Sequence, residues 1–216
     1  MTQVLSHRRR LALALTAALL LGAAAAPAAE PADASPDALI LSLSTGILDT
    51  IRADAALRGG DFAKLQKLVD ERILPRVDFD KMTRLCVGRA WRGATAAQRS
   101  TLTDQFRLLL MRTYSGALSK VTDQTVRLRP SHGQDDAADV IVRTQIVASQ
   151  GEPIELDYRL EKTDVGWKIY DINIAGVWLV ENYKNEFGQI LNQGGLDGLV
   201  AELTNKNQKL AAGAKP

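Results

Sequence analysis

The sequence predicts an α+β protein, and three observations carry that expectation. Apolar residues recur at helical spacing from Asp37 to Val121, give way to alternating, β-branched segments between Thr125 and Ile174, and return to helical spacing after Gly176. The 216 residues are 46% hydrophobic and 24% charged, a composition suited to one globular domain with a sizeable core.

The first 28 residues read as an export signal. His7-Arg8-Arg9-Arg10 is a basic leader, Leu11–Leu21 is apolar but short for a bilayer span, and Ala26-Pro27-Ala28 offers small residues for cleavage after Ala28. A retained membrane anchor is the competing reading. The run RRRLAL is a poor twin-arginine signal, and no Cys follows the apolar stretch to support lipid attachment. Losing three Arg and no acid would take the 27 basic groups to 24 against 25 acids, so no basic footprint for nucleic acid remains. Residues 29–36 form a small-residue linker, 37–205 a single domain, and 206–216 a polar tail.

Within the domain each helix has a start and a stop. Ser35 and Pro36 open the first helix, which is expected to run to Leu57 before Arg58-Gly59-Gly60. Asp61 caps a second, with Phe62, Leu65, Leu68, Val69 and Ile73 on one face and Pro75 at its end. Asp78 opens a third that stops at Gly88. Thr95 and Gln98 form a capping box for the longest helix, to about Val121, in which Leu102, Phe106, Leu109, Leu110, Tyr114, Ala117 and Leu118 make a wide apolar face. Arg99, Asp104, Arg107, Arg112 and Ser119 fall largely outside it. At about 1.5 Å per residue that helix is roughly 40 Å long and needs a large partner surface.

Four strands follow: Thr125–Arg129, Asp139–Ser149, Ile154–Lys162 and Trp167–Ile174. Short turns at Ser131-His132-Gly133, Gln150-Gly151 and Asp164-Val165-Gly166 favour an antiparallel meander. Ile154, Leu156, Tyr158 and Leu160 share a face opposite Glu155, Asp157, Arg159 and Glu161. Val140, Val142, Thr144 and Ile146, with Val126 and Leu128, extend the apolar side. Helix resumes over Val177–Leu191 and, beyond Gly194-Gly195, over Leu196–Asn205.

Catalytic chemistry is hard to find. His132 sits in a polar turn, Asp70-Glu71 and Asp135-Asp136 read as solvated, and Cys86 between Leu85 and Val87 reads as a buried thiol without a disulfide partner in the chain. Motifs for zinc, redox, hydrolase and phosphate-loop chemistry are absent, so no metal or cofactor is expected. Asp171, among Ile169, Ile172 and Ile174, is the one carboxylate that could serve as a buried base. Spacing alone favours a binding protein over an enzyme.

Residues 77–114, VDFDKMTRLCVGRAWRGATAAQRSTLTDQFRLLLMRTY, strongly resemble the MlaC, or toluene-tolerance, family of periplasmic phospholipid-binding proteins. The motif residues are Asp78-Phe79, Val87-Gly88-Arg89, Trp91, Thr95, Gln98 and Arg112–Tyr114. The likeness continues through Asp157-Tyr158-Arg159-Leu160, Gly166-Trp167-Lys168 and Tyr170-Asp171, and spans Asp37 to about Leu203. It implies a curved four-stranded antiparallel sheet packed by helices around an apolar lipid pocket. It also implies a monomeric periplasmic carrier of phospholipid that maintains outer-membrane asymmetry. Its partners would be an outer-membrane lipoprotein–porin complex and the MCE-domain protein of an inner-membrane ABC transporter, with phospholipid as cargo.

On that resemblance the candidate pocket residues are Leu85, Phe106, Leu109, Leu110 and Tyr114 from the helices and Val142, Ile146, Leu156 and Tyr158 from the sheet. Any one of them could equally be ordinary core, because periodicity reports burial and not what does the burying. Trp178 stands where the family usually has a small residue, and Lys184 where Arg is common. Trp178 would narrow the pocket if it borders it, or touch a partner if it faces solvent. Two other readings stay open: an enzyme or binder for an apolar small molecule, with Asp171 as base, and a solid-cored envelope adaptor.

Overall fold

The computed structural model of the protein describes residues 35–118, 120–130 and 137–213. The expected export signal, residues 29–34 of the linker, Ser119, His132, Asp135-Asp136 and the last three residues lie outside the described residues.

Helix α1 spans Pro36–Ala53, with the Ser35 side chain accepting from the Ala38 amide. It ends earlier than the sequence suggests. Asp54 adopts extended backbone (φ −109°, ψ 110°) and its carboxylate accepts from the Ala56 and Leu57 amides, restarting the chain as α2, Ala55–Arg58. Asp61 caps α3, Phe62–Leu68, and the chain continues through a wide turn at Val69–Ile73 and a tight one at Leu74–Arg76, where Pro75 stops it. Asp78 caps α4, Phe79–Val87, and a 3₁₀ segment Gly88–Gly93 leads to α5, Ala96–Leu118. The capping box forms: the Thr95 amide donates to Gln98 Oε1 at 3.0 Å, and the Gln98 amide to Thr95 Oγ1 at 3.1 Å.

The sheet has five strands rather than four, in the order β1-β2-β3-β4-β5. They are β1 Thr125–Leu128, β2 Asp139–Val147, β3 Ile154–Thr163, β4 Gly166–Ile174 and β5 Val177–Trp178, all antiparallel to their neighbours. The sequence predicts helix from Val177, where the structure has the fifth strand. Ala175 (φ 50°) and Gly176 (φ 91°) make a two-residue turn with positive φ at both positions, which folds Val177 and Trp178 back onto Ile174 and Asn173. Only then does α6 begin, Leu179–Ala211, broken at Gly195 (φ 61°, ψ −158°), a conformation open to glycine alone. Its second part runs beyond the Asn205 that the sequence suggested.

Two hydrophobic clusters hold these elements. The larger joins Leu39 and Ile40 of α1, Met82 and Cys86 of α4, the inner residues of α5, the apolar face of the sheet and Leu179–Leu203 of α6. Phe106, fully buried, is its hub, edge-on to Tyr183 at 4.8 Å and Phe187 at 5.3 Å. The smaller lies between α1, α2, α3 and the other side of α5, through Leu48, Ile51, Leu57, Leu65 and Met111. Helix α5 therefore serves two apolar compartments, which is why its apolar face reads so wide.

Candidate functional site

Strand register places the apolar side chains of neighbouring strands in rows. Val140 pairs with Leu160 and Leu160 with Ile169; Val142 pairs with Tyr158 and Tyr158 with Ile172. The next row runs Leu128, Thr144, Leu156, Ile174, Val177 across all five strands, and the last joins Val126, Ile146 and Ile154. Burial changes along these rows. Val140, Val142, Leu160 and Ile169 are closed off under the helices, whereas Tyr158, Leu156, Ile172, Ile174 and Ile146 are half-buried. At the far end Leu128, Ile154 and Val177 are 40%, 50% and 52% exposed. The face is thus sealed at one end and half-covered at the other.

Its polar atoms are already engaged. Thr144, fully buried, donates its hydroxyl to the Leu156 carbonyl at 2.7 Å. Burial raises the Tyr158 hydroxyl's pKa, while hydrogen bonds with Ser44 and Thr144 pull the other way. Burial likewise raises the Tyr114 phenol. All these groups are uncharged at neutral pH, so this face offers alkyl surface with neutral hydroxyls between.

The opposite face is charged and internally paired. Arg129 contacts Glu155 at 3.0 Å and Asp157 at 3.6 Å, and Lys81 bonds Glu161 while lying 3.7 Å over the Tyr170 ring. A bulge at Tyr170 shifts the register between Arg159 and Leu160. It puts Tyr170 and Asp171, consecutive residues, on this same side: the Tyr170 hydroxyl donates to Asp139, and Asp171 binds Arg159 at 3.0 Å. Asp171 is fully buried, and its other oxygen accepts from the Ile172 and Val180 amides at 2.9 and 3.0 Å. Val180 lies in the first turn of α6, whose cap residue Trp178 supplies no side-chain bond. Asp171 thus supplies that cap from β4, with both oxygens engaged in holding the fold together.

The structure sorts the sequence candidates. Phe106, Leu109, Leu110 and Val142 are buried together in the larger cluster, with Tyr114 and Tyr158 half-buried against it; Leu156 and Ile146 continue the same sheet face. Leu85 is half-buried on α4 and belongs to neither cluster, since Met82 and Cys86 point inward instead. Trp178 pairs with Asn173, hence lies on the charged side, stacked 4.0 Å from the Arg159 guanidinium. Burial raises the Cys86 thiol far above its usual range, which makes it an inert core group. Sequence reasoning missed Ile172 and Ile174, because the bulge breaks the alternation that would have marked them. It also missed the half-buried Leu43, Val180 and Leu210.

Two clefts of about 620 and 470 Å³ lie along α4 and the first half of α5 and share Asp78, Asp80, Thr103 and Asp104. Their carboxylates and guanidinium groups suit no alkyl chain. Among the described residues no cluster of three His, Cys, Asp or Glu could hold a metal, and no helix is long and apolar enough to cross a membrane.

Residues 42–205 match the family described as MlaC protein. The chain is 26% identical over 175 residues to the intermembrane phospholipid transport system binding protein MlaC of Haemophilus influenzae, covering 80% of this chain and 82% of the relative. It is 21% identical over 197 residues to the toluene tolerance protein ttg2D of Pseudomonas putida, covering 88% and 91%. A solved phospholipid-binding protein from Ralstonia solanacearum, in complex with a phospholipid, superimposes with a TM-score of 0.80 at 45% identity, over 82% of this chain and 99% of that one.

Proposed function

The chain belongs to the MlaC protein family, and from that membership we propose that it is a periplasmic phospholipid carrier that holds acyl chains against the half-covered end of the sheet's apolar face. The single observation behind this is the row Leu128–Thr144–Leu156–Ile174–Val177, half-buried at its centre and open at both ends. Leu156, Tyr158, Ile146, Ile172 and Ile174 would line the cargo from the sheet and Tyr114 from α5, with Phe106, Leu109, Leu110 and Val142 as the sealed floor. Leu85 and Trp178 fall outside this set. Residues 37–205 form the lipid-binding domain, and residues 1–28 direct export.

Each methylene taken out of water contributes about 0.8 kcal/mol, but a tail in a bilayer is already out of water. Moving it onto a protein face changes its free energy little. Direction and rate of transfer therefore reside in docking: release to the MCE-domain protein of an inner-membrane ABC transporter and exchange with an outer-membrane lipoprotein–porin complex, with phospholipid as the only cargo. No covalent step is needed.

The test is native mass spectrometry of protein taken from the periplasm without detergent, followed by lipid extraction. A stoichiometric added mass matching phospholipid is expected, and Leu156→Trp, which fills the open row, should lower its occupancy. Val142 is too buried for this purpose, because a Trp there would overpack the core. A lipid-free mass that stays unchanged after incubation with phospholipid vesicles would refute the carrier and leave the adaptor reading.

A further inference from the structure

Helix α5 turns a second apolar side away from the sheet. Over its last turns Leu110 and Tyr114 join the larger cluster, while Met111, Ser115 and Leu118, at i, i+4 and i+7, face α1–α3. Between them and α1–α3 lies a pocket of about 240 Å³, walled by Ile51, Leu57, Leu65 and Leu118, with Ser115 and Gly116 completing the α5 side and the exposed Gly60 and Asp61 at its mouth.

The polar groups that reach this pocket have partners elsewhere. Ser115 Oγ donates to the Arg112 carbonyl at 3.0 Å, and Asp61, at the exposed rim, accepts from the Lys64 amide at 3.1 Å. A water needs two to four polar partners, and an engineered cavity of about 150 Å³ lined by Leu, Ile and Phe stays dry and binds benzene. Gly116, exposed at the edge of this space, leaves room for a larger side chain, since a Cβ built there would meet no atom within 4 Å.

We propose that this pocket is a second ligand site, separate from the sheet face, for an uncharged alkyl or monocyclic group. At roughly 30 Å³ per group, the share of a water in the liquid, it holds about eight methylene-sized groups. That chemistry has two sources, a free hydrocarbon and the end of an acyl chain.

The experiment titrates n-hexane into methyl-labelled protein, phospholipid-loaded and delipidated, and reads intermolecular NOEs to the Ile51, Leu57, Leu65 and Leu118 methyls. Saturable contacts to these four are expected, with affinity at least tenfold weaker in Ser115→Leu and Gly116→Leu. Equal hexane binding in both protein forms assigns the site to a separate hydrocarbon, whereas loss of hexane on phospholipid loading assigns it to an acyl end. Absent contacts, or unchanged affinity in either variant that retains its circular dichroism, would overturn the proposal. Unfolding of both variants would do the same, since it would mean the space is not there. The sheet-face reading can fail, by an empty native mass, without touching this result.

Discussion

Replacing Asp171 separates structure from chemistry most sharply. Asp171→Ala leaves the Ile172 and Val180 amides without their acceptor, at about 1 to 2 kcal/mol each in this part-buried setting. The Arg159 guanidinium is about a third in water, so losing that pair adds no more than about 1 kcal/mol after screening. The loss should come to about 2 to 5 kcal/mol, a large share of a typical total of about 5 to 15. Asp171→Asn can keep its carbonyl oxygen toward both amides and loses only the ionic contact, for no more than about 1 kcal/mol. In urea, with a slope near 2 kcal/mol/M, the midpoint should fall by about 1 to 2.5 M for Ala and by no more than about 0.5 M for Asn. The pH dependence has a defined sign. Burial raises this carboxyl's pKa, against the pull of the Val180 amide, Arg159 and the Ile172 amide. A folded pKa above the unfolded value means that the contribution is fully present below the unfolded pKa, near 3.9, and is lost as pH rises through the folded one. The native chain's margin over Asp171→Asn should therefore narrow across that rise. Midpoints within about 0.2 M of native for both variants, together with lost turnover on an apolar substrate, would refute the structural role and revive the enzyme.

Trp178→Ser should leave phospholipid load and composition unchanged and cost only about 0.5 to 1 kcal/mol, the worth of its cation–π contact with Arg159. A changed lipid profile on extraction would mean that Trp178 reaches the cargo. Ala175→Asn should raise the melting temperature by about 2 to 4 °C, because Ala175 occupies a positive-φ position where Asn-Gly is favoured; a lower value in calorimetry would contradict the turn. Delipidated protein should melt lower and recover on adding phospholipid, by about 2.7 kcal/mol at a hundred times Kd. Identical melting of the two forms would count against the carrier.

Much of the fold was legible because it follows from local rules. Ser35, Asp61, Asp78 and the Thr95–Gln98 pair each cap the helix expected of them, and the four long strands fall at their expected places. What escaped needed non-local information. Asp54 is an unremarkable helix-surface residue until its carboxylate turns back on its own chain. The two residues of β5 have too little length for a period, and Ala175-Gly176 lacks the Asn or Asp that marks such turns. The Tyr170 bulge flips the parity of β4, so the facing of Ile172, Ile174 and Asp171 cannot be counted off from Ile169. Trp178 was ambiguous for the same reason: its side is fixed by pairing with Asn173, not by its neighbours in sequence.

The site lay partly beyond reach because periodicity marks apolar sides without saying what covers them. If the sheet's apolar face served stability alone, burial would be complete along every row. It is complete through Val140 and Leu160, yet the row through Leu156 ends in Leu128 and Val177 at 40% and 52% exposure. Leaving that surface in water forgoes about 25 cal/mol for each Å² that another residue could have covered. On the charged side Arg129, Arg159 and Lys81 each hold a carboxylate, so that side needs no cover. One face therefore satisfies itself and the other does not. In the proposed carrier an acyl chain would supply what the open rows lack, without asking for a hydrogen bond that Thr144 and Tyr158 have already made.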